Sequence, residues 1–369
     1  MNITYTQAIQ VLLKRQMILS RIYFRNSKYF ISVLLIIFIP LLFTISYFFF
    51  WLDRIFYPNL EDKEIREPVF IFGHPRSGTS FLQKRIAETG KVAYSTTSSL
   101  AFPSLILGKI VQPLIKLLSN IELKLLKSEA KGHKIELDGI EEDEALFLHT
   151  INTELLSILC PWMIFEEYAD LGDKLDGRDD QKDRELSILF LKEYMKRQLV
   201  RQNKDRIVIK ANPSIFRLKQ ILKYFPDAKI FYLIRSPVDT LSSFFSFHNR
   251  YHNSVLSERE QKKYFSNKYE WSKNLYNYFE KEKNEIPSDQ LFTVLFPKLK
   301  NNLKQLLKEI FNFIDIEPEK GYWKKVDQVI NSKRDKKYQN YNLEEFNLSI
   351  EKVKTDLDFI WKHYPGIEE

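Results

Sequence analysis

The stretch Val69-Phe70-Ile71-Phe72-Gly73-His74-Pro75-Arg76-Ser77-Gly78-Thr79-Ser80-Phe81-Leu82 reads as an apolar strand, a glycine loop and the start of a helix. A loop of this kind turns backbone N–H groups towards an anion, and the dipole of the following helix favours negative charge there. The spacing Gly73-x4-Gly78 is that of a P-loop, yet Thr79 stands where the NTPase pattern has its lysine. Arg76 is the only cation within the loop. The segment therefore reads as a cradle for a phosphorylated ligand other than ATP with magnesium.

Residues 227–247 supply the second half of the argument. Lys229 to Ile234 has the composition of a buried parallel strand, Arg235 follows its carboxyl end, and Pro237 opens a helix. Ligands of open α/β sheets bind beyond the carboxyl ends of the strands. Arg235 and Ser243 are thus expected to meet the nucleotide held by the first loop. Arg206 to Lys210 reads as a further strand, followed by Asn212-Pro213-Ser214 and a helix over about 215–224. With 229–234 it forms a βαβ unit, for which a right-handed crossover is expected. Leu291 to Phe296 reads as another strand, Asp170 to Arg184 as a charged loop containing glycine. Tyr264 to Lys283, Leu303 to Phe313 and Leu343 to Tyr364 read as helices. The fold class is α/β: a P-loop-like parallel sheet flanked by helices, preceded by an N-terminal hydrophobic membrane helix.

That helix is expected over Tyr29–Leu52, a run of 24 residues without a charge. At about 1.5 Å per residue it is long enough for a hydrocarbon core of about 30 Å. The run is too long for a cleavable signal peptide and its flank lacks a small-residue cleavage site. Tyr47, Trp51 and Tyr57 would supply an aromatic belt. The chain is accordingly divided into a basic amphipathic segment (1–28), a membrane anchor (29–52), a charged linker (53–67) and a catalytic domain (68–369). The basic flank favours an inside N-terminus, and Pro40 permits a kinked or re-entrant anchor with both ends on one side. Residues 3–25 and 100–127 also read as amphipathic helices with basic faces. Two readings stand for the second: a core-packing helix, or a membrane-surface helix that brings the site to an amphipathic acceptor.

A chain of 369 residues holds one large α/β domain with insertions. Five of its eight net positive charges are Lys14, Arg15, Arg21, Arg25 and Lys28, in a segment without acids. The remainder is mixed in sign, so no nucleic-acid surface is indicated. Cys160 is the only cysteine, which excludes an intramolecular disulfide and fits a reducing compartment.

The two motifs together resemble the sulfotransferase family, which transfers a sulfuryl group from 3′-phosphoadenosine 5′-phosphosulfate (PAPS). Pro75-Arg76-Ser77-Gly78-Thr79-Ser80-Phe81 is similar to its 5′-phosphosulfate loop, and Arg235-Ser236-Pro237 with Ser243 to its 3′-phosphate motif. The resemblance covers residues 68–250 and is closest to the bacterial-type and tyrosylprotein branch, which carries Pro-Arg-Ser-Gly-Thr. It implies PAPS as co-substrate, with no metal needed. Arg76, Ser77, Gly78, Thr79 and Ser80 would bind the 5′-phosphosulfate, and Arg235 and Ser243 the 3′-phosphate. Lys210, in Ile209-Lys210-Ala211-Asn212-Pro213, matches the lysine that stabilises the leaving-group oxygen in cytosolic members. Asn212 stands where those members have a catalytic histidine, and an amide cannot take a proton. The catalytic base is therefore sought in Gly132-His133-Lys134 and Glu141-Glu142-Asp143-Glu144, an arrangement similar to that of bacterial members. Glu142 is favoured, with His133 and Asp143 as rivals; the same acids would equally complement the dipole of a helix over 144–159. His74 and His248 read as structural or ligand-lining residues. The basic run Lys333-Arg334-Asp335-Lys336-Lys337 reads as a solvated face or a further 3′-phosphate contact.

The leading expectation is a membrane-anchored, PAPS-dependent sulfotransferase with catalysis in the cytoplasm, a Golgi-lumenal domain being the alternative. Its acceptor would be a hydroxyl or amine on a lipid, a glycan or a small molecule. A P-loop kinase or NTPase and a non-catalytic nucleotide-binding scaffold are the competing readings.

Overall fold

The computed structural model describes residues 30–120, 139–159, 161, 181–332 and 342–368, together with residues 13 and 17. They fall into two compact units, each made of separate stretches of chain.

The unit formed by Glu67–Val92, Val208–Leu218 and Phe225–Glu369 carries the sheet. Its strands are β1 (Val69–Gly73), β2 (Val208–Lys210), β3 (Lys229–Ile234) and β4 (Leu291–Leu295). They run parallel in the order β2-β1-β3-β4. Every residue of β1 and β2 is buried, and all of β3 but Lys229. Burial on both faces is why β1 and residues 230–234 of β3 are apolar runs without polar alternation. Ile71 lies beside Lys210 and Phe231, Gly73 beside Leu233, and Ile234 beside Leu295. The chain builds outward from β1 to one side, then returns to the other, which makes the β1/β3 boundary the topological switch point. The expected strands are present, with the first residues of 206–210 and the last of 291–296 outside them.

Helix α2 (Thr79–Ala87) follows β1. In the other unit, α3 (Thr97–Ala101), α4 (Leu105–Asn120), α5 (Leu155–Leu159) and α6 (Gln181–Gln202) follow α1 (Phe30–Phe56). Further along are α7 (Leu218–Tyr224), α8 (Pro237–His252), α9 (Glu258–Glu282), α10 (Phe296–Asn301), α11 (Leu303–Phe313) and α12 (Tyr322–Ser332). The chain closes with α13 (Ile350–Asp356) and α14 (Asp358–His363). The helix expected over 264–283 begins earlier because Ser257 and Glu260 form a capping box. The single helix expected over 343–364 is broken into three pieces: Asn347 takes the left-handed conformation at φ 56° and Ser349 caps a new start. Residues 181–184, expected in a loop, are the first turn of α6; the rest of that loop lies outside the described residues.

The expected membrane anchor is revised. Its helix is real and runs to Phe56, but among the described residues no helix is long and apolar enough to cross a membrane. The physical reason is visible in its second half, where Ser46, Phe50 and Asp53, spaced i, i+4, i+7, form a buried face. Ser46 Oγ bonds His149 Nδ1 at 3.1 Å. Asp53 accepts from Arg197 Nε at 2.8 Å, from Ser104 Oγ at 2.9 Å, and from the N–H groups of Leu105 and Ile106 at 3.0 and 2.9 Å. This carboxylate thus caps the N-terminus of α4 and neutralises a fully buried arginine. The segment expected as a charged linker starts inside α1 and contains a short 3-10 turn, Pro58–Leu60, with Leu60 buried. The amphipathic stretch 100–127 is split into α3 and α4; beyond residue 120 it lies outside the described residues, as does 3–25 apart from residues 13 and 17, both helical.

Candidate functional site

All four parallel strands deliver a residue of interest at their carboxyl ends: the loop after Gly73, Lys210, Arg235 and Phe296. The loop is shaped by its glycines. Gly78 sits at φ 99° as the N-cap of α2, and a Cβ there would lie 2.9 Å from Leu299 Cδ2. A Cβ on Gly73 would meet Leu233 O at 2.6 Å and Ser77 Oγ at 2.7 Å. Arg76 is held at φ 76°, a conformation costly for a non-glycine residue and one that clusters at ligand clamps. No side chain caps the N-terminus of α2; the Phe81 N–H donates to the Gly78 carbonyl at 3.1 Å, and the amides of Thr79 and Ser80 ahead of it are placed to meet a ligand.

The two sequence motifs meet. Arg76 Nε donates to Ser243 Oγ at 3.1 Å, and Arg235 Nη1 donates to the Arg76 carbonyl at 3.3 Å. Arg76 lies over the Phe247 ring at 5.7 Å and Arg235 over the Phe296 ring at 4.6 Å. Asp239 pairs with Arg235 Nη2 at 3.3 Å. Lys210, almost fully buried, donates from Nζ to Ser80 Oγ at 2.7 Å, and Asn212 Nδ2 donates to Thr79 Oγ1 at 3.2 Å. Lysine and arginine are therefore brought to opposite ends of one loop. Three buried polar atoms of these residues have no partner among the described residues: the acceptor Asn212 Oδ1 and two donors, Ser77 Oγ and Arg235 Nε. Unmet donors inside a cationic pocket are what a bound anion would satisfy. A cavity of about 400 Å³ opens beside Arg235, lined among others by Ser236, Phe296, Lys300 and Lys354.

His74 is a structural residue of this loop. Its Nδ1 donates to the Pro75 carbonyl at 2.8 Å, and Nε2 faces Ser272 Oγ on α9 at 2.8 Å. A carbonyl only accepts, which fixes the proton on Nδ1 in the neutral ring. Burial, with the Lys268 charge adding to it, pulls the imidazole down to about 4. The ring is packed against Tyr276, Phe244 and Trp271. His248 is likewise buried, bonded to Tyr264 at 2.5 Å and held well below the ordinary histidine range by burial.

The residues expected to supply the base belong to the other unit. Glu142 is half-buried at the start of a 3-10 helix, Asp143–Thr150, and its N–H donates to Glu141 Oε1 at 3.0 Å. Asp143 is fully buried and accepts from Ser95 Oγ, which in turn accepts from Tyr194 at 2.8 Å. Burial and the Asp143 charge push the Tyr194 phenol up. Asp143 is thereby committed to a structural network. The helix expected over 144–159 is interrupted at Ile151, which adopts φ 50°, and α5 resumes after Thr153 Oγ1 accepts from the Leu155 N–H. His133 and the run 333–337 lie outside the described residues.

Sequence reasoning did not single out Phe296, Asp239 or the Ser272 anchor of His74. Phe296 was legible in principle, since it follows β4 as Arg235 follows β3; Ser272 is brought in only by tertiary packing.

The fold and this loop define a class. A family model described as "Sulfotransferase family" matches residues 68–320, and the chain belongs to that family. Among solved structures it is similar to the sulfotransferase STF1 of Mycobacterium tuberculosis H37Rv, with a TM-score of 0.71 and 17% identity over 95% of this chain and 91% of that one. It is also similar to the sulfotransferase STF9 of Mycobacterium avium, with a TM-score of 0.69 and 15% identity over 86% and 81%. At such identities the likeness is one of fold: a parallel sheet flanked by helices. No curated protein matches the sequence.

Proposed function

We propose that this sulfotransferase uses PAPS as its donor and sulfates a hydroxyl or amine on an acceptor that is a lipid, a glycan or a small molecule. The observation that carries the reading is the direct bond from Arg76 to Ser243, with Arg235 on the Arg76 carbonyl. It joins a loop suited to a 5′-phosphosulfate to a pair suited to a 3′-phosphate. The guanidinium of Arg235 offers the bidentate geometry that phosphate prefers, and its unpartnered Nε is available for it.

In this reading Arg76, Ser77, Ser80 and the amides of Thr79 and Ser80 at the start of α2 neutralise the 5′ end. Attack by the acceptor heteroatom forms its bond to sulfur as the bond from sulfur to the bridging phosphate oxygen breaks. Lys210 meets the charge that develops on that oxygen, and adenosine 3′,5′-bisphosphate departs. The acceptor proton goes to a base, for which Glu142 and His133 are the candidates. Asn212 holds Thr79 in place and is not that base.

The test is release of adenosine 3′,5′-bisphosphate from PAPS by the full chain, measured with pooled acceptors: a lipid extract, glycans and soluble phenols. Acceptor-dependent release that falls at least about a hundredfold in Lys210→Ala supports the reading. Release with none of the pools, from protein that is folded, would count against it.

A further inference from the structure

The second half of α1 has two unlike faces. Ser46, Phe50 and Asp53 are buried against the unit, whereas Phe48, Trp51 and Ile55, on the opposite side, are each more than half exposed. Their spacing of three, four and seven places them in one stripe. Helix α4 packs on α1 and repeats the pattern: Ile110, Leu114 and Leu117, again spaced by three, four and seven, are each more than half exposed. Pro113, on the same side, is exposed as well. Two touching helices thus each leave an apolar stripe uncovered among the described residues. Such exposure is more than scattered surface leucines need explain.

The two helices carry three cations, Arg54, Lys109 and Lys116, against one acid, Asp53, and Arg54 pairs with Glu193 at 3.2 Å and Glu61 at 3.8 Å. The run 30–52 holds no charge, and the first carboxylate after it, Asp53, is turned inward and paired with Arg197. Helix α4 carries Lys109 and Lys116 and no acid; Lys109 lies over the Tyr57 ring at 5.2 Å. The 29 residues preceding α1 in sequence include five cations and no acid. Aromatic and aliphatic side chains on one face, with Lys109 on the same helix pair and further cations in the sequence around it, match the boundary of a bilayer with anionic headgroups.

We propose that the stripes of α1 and α4 are a bilayer-docking surface, lying in the headgroup boundary of an anionic membrane without crossing it. The docked, ion-paired face of α1 is what holds the helix on the protein side. This inference is independent of the nucleotide reading.

The experiment is flotation of the full chain with vesicles of phosphatidylcholine alone or mixed equally with phosphatidylglycerol. Two variants go with it, Phe48→Glu/Trp51→Glu/Ile55→Glu and Ile110→Glu/Leu117→Glu. The substituted side chains are exposed, so unchanged thermal unfolding and an unchanged circular dichroism spectrum report an intact fold. Expected are binding to the mixed vesicles that weakens with salt, release by alkaline carbonate, and a loss of at least about tenfold in partition for each variant. Variants that float as the wild type does would overturn the proposal. So would wild type that ignores both vesicles, or that resists carbonate extraction as a spanning protein does. If the variants instead convert a dimer to a monomer and leave vesicle binding unchanged, the face belongs to a second copy and the proposal falls.

Discussion

Replacing Asp53 by alanine is expected to destabilise the unit that contains α1, α4 and α6 by about 3 kcal/mol. Asp53 and Arg197 are both fully buried and joined at 2.8 Å. Removing one partner of a buried pair costs about 3–5 kcal/mol, because the remaining charge is left uncompensated. Here Arg197 retains Glu193, through Nη1 bonds to its carbonyl at 2.7 Å and its carboxylate at 2.9 Å, and donates to Phe50 O at 3.0 Å. That compensation moves the expectation to the lower end of the range. Two N–H groups of α4 lose their cap at the same time, an effect of about 1 kcal/mol that keeps the total from falling further. The assay is urea unfolding of the full chain followed by circular dichroism, with Arg197→Met and the double variant Asp53→Ala/Arg197→Met alongside. The double variant is expected to be more stable than the Asp53 single variant, since no orphaned guanidinium remains. A single-variant loss below about 1 kcal/mol, or simple additivity in the double, would refute the packing of α1 described above.

Three further outcomes are expected. Gly78→Ala, which forces a side chain into φ 99° and against Leu299, should abolish nucleotide binding and cost about 1–3 kcal/mol, read by calorimetry and urea midpoint. Lys210→Ala should lower kcat at least about a hundredfold while the affinity for adenosine 3′,5′-bisphosphate changes by less than about tenfold, as a group that acts on the departing oxygen should. Stability should fall with acid: His74 and His149 are both lowered by burial to about 4, so the unfolded chain binds more protons than the folded one between about 6.5 and 4. Their contribution is complete above about pH 6.5 and is lost as the pH drops. Each ring should cost about 2 kcal/mol between about pH 7 and pH 5; because burial lowers His248 and His252 as well, His149→Gln should remove about a quarter of the histidine-linked loss in the urea midpoint series.

The parts of the fold legible in the sequence are those fixed by short-range constraint. The loop at 73–78 announces itself through glycine spacing between an apolar strand and a helix start, and Arg235 through its place at the end of another apolar run. The strand positions followed because strands buried on both faces leave continuous hydrophobic stretches. What failed to show depends on contacts across the chain. Hydropathy marks Tyr29–Leu52 as apolar without showing that the end of its helix presents a buried polar face, and the partner of Asp53 on that face, Arg197, is 144 residues away. The acids at 141–144 suggested a helix start, but Ile151 in the left-handed conformation ended that turn. Asp143 looked reactive as one of a cluster; its commitment to Ser95 and the Tyr194 network appears only once α6 is in place. Asn347, by contrast, carried a break signal that the apolar periodicity of 343–364 obscured.

The central claim is that Arg235 and the loop at 73–80 form one site for a nucleotide bearing phosphate at both ends. Calorimetric titration of the full chain with adenosine 3′,5′-bisphosphate, with ATP and magnesium, and again on Arg235→Ala, tests it most directly. The account predicts binding of the bisphosphate in preference to ATP with magnesium, weakened at least about a hundredfold by the substitution. Preference for ATP with magnesium, or bisphosphate binding that is indifferent to Arg235, would contradict it.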